Sequence, residues 1–137
     1  MLAQQHRMRT HVQFSETTRS GVRSGRRNLV LYAVKTPPRP TLVGFIVSKA
    51  VGNAVTRNKT KRRLREIAAA TVAQRPEGYS FVVRALPASA GASFAQLRKD
   101  YESAERAVLA KLAPQTSSSA VADSPEAAEP QTPREES

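Results

Sequence analysis

Residues 51–67 read VGNAVTRNKTKRRLREI, and six of the nine from Arg57 to Arg65 are cationic (Arg57, Lys59, Lys61, Arg62, Arg63, Arg65) with no acid between them. On a helix at about 100° per residue, counted from Arg57, these side chains fall at about 0, 200, 40, 140, 240 and 80°. Thr60, Leu64, Ile67 and Thr71 gather instead between about 280 and 340°. One narrow stripe serves a core, and the remainder is a basic face. A solvated surface is the ordinary fate of a charge run, but six uncompensated cations repel one another and contribute no stability by themselves. Their density calls for a polyanion nearby. Gly52 permits tight entry from the apolar run Leu42 to Val47, Asn53 precedes good helix formers, and Arg75-Pro76 stops the pattern. The spacing predicts a helix from about Asn53 to Gln74.

Working outward, LVLYAV (29–34) and LVGFIV (42–47) are rich in β-branched residues and flank the loop KTPPRPT. They read as two antiparallel strands joined by a proline-stiffened hairpin loop, with a short edge strand near Val22 and Arg23 before them. YSFVVRA (79–85) follows the turn signal Pro76-Glu77-Gly78 as a further strand that Pro87 ends. At the start, MLAQQHRMR has no period and reads as a mobile arm. Thr10 with Gln13 then makes a capping pattern for a helix over 11–20 that carries Phe14 and stops at Gly21. Ser93 with Gln96 caps another, in which Phe94, Leu97, Tyr101, Ala104, Val108 and Leu112 recur at helical spacing. The order implies an α+β fold with helices packed on one side of a small sheet.

The 137 residues carry a net charge of +11, which is unevenly spread. Residues 1–113 hold 21 Lys+Arg against 6 Asp+Glu, a net of +15, whereas 114–137 hold 1 against 5, a net of −4. This divides the chain into a basic folded domain, 1–113, and a Pro/Ser/Ala-rich acidic tail, 114–137, too poor in large apolar groups to offset its ordering entropy. Such a balance marks a binder of nucleic acid or of a membrane surface. No apolar run is long enough to span a bilayer, and no signal-peptide pattern is present. With no cysteine, disulfides and thiolate metal sites are excluded, and a reducing cytoplasm fits.

Protein catalysis needs convergent titratable groups. The basic region offers Glu16, Glu66, Glu77, Asp100, Glu102 and Glu105, scattered, and His6 and His11 near its start, with no zinc spacing and no phosphate-cradling glycine loop. The expected catalytic residues and metal ligands are therefore none. Phe14, Tyr32 and Phe45 are candidate rings for stacking single-stranded bases, worth about 1–3 kcal/mol each. Tyr32 alternates with Leu31 and Ala33, so it faces the other side of the sheet from them. Sequence alone leaves open whether that side is wet, and whether Phe14 is a platform or a core residue.

At GNAVTRNKTKRRLREI the chain resembles the protein subunit of bacterial ribonuclease P. The matching features are Val43-Gly44, Ser48-Lys49, Gly52-Asn53-Ala54-Val55, Arg57-Asn58-Lys59 and Lys61-Arg62, within a likeness that runs from His6 to Ala113. The resemblance implies a sheet of about four strands of the ribosomal protein S5 domain 2-like kind, with a left-handed βαβ crossover through the basic helix. It implies that the catalytic centre lies in a large RNA with bound Mg2+, that the holoenzyme removes the 5′ leader of precursor tRNA in the cytoplasm, and that the protein is monomeric outside it. By matched position, Arg57, Asn58, Lys59, Lys61, Arg62, Arg63 and Arg65 contact the catalytic RNA, while Phe14, Tyr32, Ser48, Lys49 and Asn53 receive the leader. Three departures stand out: Lys59 loses the planar fork of the motif's arginine, Ala50 replaces a common basic residue, and Thr18 replaces a second helix aromatic.

Other classes fit less well. A scaffolding ribosomal protein is equally basic but needs no groove for single strands, and a self-sufficient nuclease lacks its carboxylate cluster. A calmodulin- or membrane-binding helix needs a wider apolar stripe than this one.

Overall fold

The computed structural model describes residues 3–112, within which the basic stretch forms one helix of 21 residues. In chain order the elements are α1 (His11–Ser20), β1 (Val22–Gly25), β2 (Leu29–Pro40), β3 (Leu42–Ile46), α2 (Ala54–Gln74), β4 (Glu77–Ala85) and α3 (Phe94–Leu112), with 3-10 turns at Gln4–His6 and Pro87–Gly91. The acidic tail expected from 114 to 137 lies outside the described residues.

Helix ends follow local chemistry. Thr10 Oγ1 accepts the Gln13 N–H and Gln13 Oε1 accepts the Thr10 N–H, both at 3.1 Å, which completes the capping box of α1. Asn53 Oδ1 accepts the Thr56 N–H at 2.9 Å and starts α2.

The sheet order is β1-β2-β4-β3, with β1 and β4 antiparallel to β2, and β3 parallel to β4. This corrects the expected hairpin, because β2 and β3 are consecutive in sequence yet β4 lies between them. The proline segment does not loop back. β2 continues to Pro40, which pairs with Glu77 beyond a register shift after Lys35. Thr41 is then bound by its N–H to Pro76 O and by its hydroxyl to Arg75 O, at the point where β4 enters. Prolines lack the N–H a partner strand needs, which suits a segment leaving the sheet edge. Since β3 and β4 run the same way, α2 is the crossover that joins them.

Two cores result. Leu31, Ala33, Val43, Phe81 and Val83 face α2 and α3, where Leu64, Ala68, Leu97, Tyr101 and Val108 are almost fully buried. Alternation sends Tyr32 and Val82 to the opposite face, where Met8 and Phe14 cover them. Helix α1 therefore packs on the other face of the sheet from α2 and α3, which corrects the one-sided arrangement expected from element order. Within the expected arm, the described residues 3–9 are packed on the fold. His6 Nδ1–H donates to Thr41 O at 2.7 Å, the Met8 N–H donates to Val43 O, and both side chains are buried. A single bridge and two buried side chains leave no period for sequence reading to detect.

One polar knot ties the basic helix to α3. Thr71 on the apolar stripe donates to Glu105 at 2.7 Å and accepts from the buried Tyr101 hydroxyl at 2.7 Å. Burial, with Glu105 adding to it, holds that phenol above its ordinary range, so it is a neutral donor. Thr71→Val keeps the shape but strands the Tyr101 hydroxyl, so urea unfolding should show a loss of about 1–3 kcal/mol. Adding Tyr101→Phe should recover part of that loss, and a double variant no better than the single would refute the pairing.

Candidate nucleic-acid interface

The stripe predicted for α2 is the one buried: Thr60, Leu64, Ile67 and Thr71 face inward, joined by Ala68 and Val72. That orientation fixes where every cation points. Arg62, Asn58 and Lys59 lie on the exposed crest, while Lys61 and Arg65 flank the stripe on one side and Arg63 on the other. Two of the cations are tied to the backbone. Arg57 Nε donates to Gly52 O at 3.1 Å, bracing the entry to the helix, and Arg63 Nη1 donates to Ala92 O at 3.1 Å. Among the described residues no carboxylate lies within 4 Å of any α2 cation, and the one ion pair found there, Arg98 with Glu102, is on α3. The basic face is thus uncompensated, and its field extends outward over about a Debye length, ~8 Å at physiological salt.

Beside this face a cleft of about 140 Å³ wraps the outer edge of β3, lined by Arg7, Met8, Phe14, Val43, Phe45, Lys61 and Arg65. Its form depends on Gly44. A Cβ at that position would lie 2.5 Å from Phe14 Cε1 and 2.9 Å from Met8 Sδ, so only glycine lets the ring of α1 settle against the strand. Phe14 is left half-buried, with a face on the cleft. The sheet and α1 supply a ring, and α2 supplies cations one step away.

The other residues expected at a single-strand site are placed differently. Tyr32 is only 7 % exposed, packed with Met8 and Val82, so it forms the support beneath Phe14 rather than an open platform. Ser48 and Lys49 are exposed in the turn after β3, where Ser48 O accepts the Val51 N–H and Lys49 O the Gly52 N–H. Asn53 is exposed, but its Oδ1 is used as the cap of α2, leaving its amide N–H groups for a ligand. Arg7 and Met8 join the cleft without having been singled out. The only sequence signal for them was their place in the basic His6-Arg7-Met8-Arg9 run.

Among the described residues there is no group of three or more His, Cys, Asp or Glu able to hold a metal, and no helix long and apolar enough to cross a membrane. The cleft itself is a poor host for a divalent cation, since its charged side chains are Arg7, Lys61 and Arg65 and no lining side chain carries an oxygen.

Residues 2–108 match the family model described as Ribonuclease P. A ribonuclease P protein component of Kocuria rhizophila is 60 % identical over 104 residues, covering 76 % of this chain and 92 % of the relative. That of Pseudarthrobacter chlorophenolicus is 57 % identical, covering 82 % and 84 %. In structure, the Staphylococcus aureus RNase P protein aligns with a TM-score of 0.67 at 24 % identity, over 74 % of this chain and 94 % of that one. The RNase P protein from Thermotoga maritima aligns at 0.62 and 24 %, over 71 % and 92 %, and these two likenesses speak to the fold.

Proposed function

This chain belongs to the ribonuclease P protein family, and from that premise we propose that it holds two RNA strands on adjoining surfaces. It is the protein subunit of a ribonucleoprotein endoribonuclease that matures tRNA 5′ ends. In our reading, the basic face of α2 (Arg57, Asn58, Lys59, Lys61, Arg62, Arg63, Arg65) docks on the catalytic RNA. Phe14 with Tyr32 beneath it, and Ser48, Lys49 and Asn53, receive the 5′ leader of precursor tRNA in the cytoplasm. One observation supports this pairing above the rest: Lys61 and Arg65 belong both to the basic face of α2 and to the cleft that Phe14 lines.

The chemistry of each surface suits its strand. A folded RNA presents closely spaced phosphates, which an array of outward cations on a rigid helix meets by releasing counterions. A leader is unpaired, so its bases can lie on a ring while its phosphates meet Lys61, Arg65 and Lys49. The protein positions and neutralises, and the bond-breaking machinery belongs to the RNA. Magnesium bound by that RNA would supply the metal-assisted attack of water; among the described residues no group of three or more His, Cys, Asp or Glu could hold such an ion.

The test is reconstitution. Purified protein alone should leave precursor tRNA intact, and adding the catalytic RNA with magnesium should restore leader removal at low salt. Protein–RNA affinity should also fall about a thousandfold between 50 and 200 mM salt if some six phosphates are neutralised. Cleavage without RNA, or an affinity indifferent to salt, would overturn the reading.

A further inference from the structure

A second cavity, larger than the Phe14 cleft, has no part in the function described above. It measures about 370 Å³ and lies between the β1–β2 turn, the 3-10 turn Pro87–Gly91 and the first turns of α3, lined by Arg27, Asn28, Gln96, Lys99 and Asp100 together with the small residues Ala88, Gly91 and Ala92. That volume is in the range that takes a small organic group. Five of its eight lining residues are polar or charged, which excludes an apolar occupant.

Donors and acceptors are sorted by depth. Arg27 and Lys99 stand exposed at the rim and, among the described residues, have no partner. Gln96 spends its Oε1 on the Ser93 N–H at 2.9 Å, which leaves its amide N–H groups available. At the floor, Asn28 is 6 % exposed and clamps Asp100, whose Oδ2 accepts from both its backbone N–H at 3.0 Å and its Nδ2 at 2.9 Å. Among the described residues Asp100 Oδ1 and Asn28 Oδ1 accept no hydrogen bond. A bare phosphate would suit the rim but meet a carboxylate below. A group that is anionic at one end and rich in N–H donors at the other suits both, and a nucleotide is such a group.

We propose that this cavity receives one unstacked nucleotide of an RNA partner, its phosphate on Arg27 and Lys99 and the N–H edge of its base on the oxygens of Asp100 and Asn28. The proposal rests on the chain being the RNA-binding subunit argued above. The cavity continues from the basic helix: Ala92, on its wall, accepts the hydrogen bond from Arg63, on the opposite flank of α2 from Lys61 and Arg65. A strand crossing the crest at Arg62 can therefore descend on either side, to the Phe14 cleft or to this one.

The experiment compares the full chain with Arg27→Ala/Lys99→Ala and with the charge-matched control Arg98→Ala/Arg106→Ala, whose residues lie on α3 outside the cavity. Binding to the catalytic RNA is measured between 50 and 200 mM salt, and binding of precursor tRNA to the holoenzyme in parallel. The cavity pair should lose about tenfold in affinity and lower the salt slope by about one to two, with the control within about twofold of the parent. A loss confined to the catalytic RNA places the nucleotide there, and a loss confined to the precursor places it in the substrate. Equal behaviour of cavity pair and control would overturn the site. If Arg62→Ala also left binding to the catalytic RNA unchanged, the fault would lie in the RNA-subunit reading itself. All four cavity and control positions are exposed except for the ion pair of Arg98, so thermal unfolding should be nearly unchanged.

Discussion

Replacing Lys61, Arg62 and Arg65 together by alanine is expected to weaken binding to the catalytic RNA by about two to three orders of magnitude near 0.1 M salt. Each charge-assisted contact is worth about 1.5–3 kcal/mol when well made, and exposure with salt screening brings the working value down to about 1–1.4 kcal/mol. The slope of log affinity against log salt should become shallower by about three, since three phosphates go unneutralised. The choice of residues follows from the structure. Among the described residues these three have no intramolecular partner, whereas Arg57 holds Gly52 O and Arg63 holds Ala92 O. Alanine at Arg57 or Arg63 therefore mixes a change in the fold with a change in binding. The triple variant should unfold within about 0.5 kcal/mol of the parent, because relieving like-charge repulsion offsets the little packing lost. Filter binding across a salt series checks it, and an unchanged slope would show that the crest of α2 faces solvent in the holoenzyme.

Much of this was legible from residues alone, and the pattern of misses is physical. The helical stripe of α2 and the capping boxes at Thr10 and Ser93 were readable because they are local, set by residues three or four apart. The insertion of β4 between β2 and β3 was not, since strand neighbours separated by a helix depend on contacts such as Thr41 to Pro76 that leave no local trace. The same holds for α1. Its ten residues show a weak apolar face, and only Tyr32 and Val82 on the sheet decide which side it covers. At the candidate site, charge was legible and depth was not. Tyr32 and Phe14 are both aromatics on the same face, yet burial makes one a floor and leaves the other a surface.

Gly44→Val should separate the two surfaces more sharply than removing either ring. On β3 the residue faces α1, opposite to Val43 and Phe45, which pack toward α2 and α3. Its new side chain cannot coexist with Phe14, because the first atom alone would sit 2.5 Å from the ring. The backbone of β3 is held by five register pairs with β4, so the half-buried ring is what must give way. Overpacking of this kind costs about 1–3 kcal/mol, part of which a β-branched residue recovers in a strand. The consequence falls on single-strand recognition. The preference of the holoenzyme for precursor over mature tRNA should shrink about tenfold or more, consistent with loss of one stacked base at about 1–3 kcal/mol. Affinity for the catalytic RNA should stay within about threefold, since the exposed crest residues Asn58, Lys59 and Arg62 lie outside the cleft that Phe14 lines. Phe14→Ala should reproduce the lost preference with less strain. If Gly44→Val instead lost the catalytic RNA as severely as the triple variant of α2, the cleft and the crest would be one surface, and the division of labour between them would have to be abandoned.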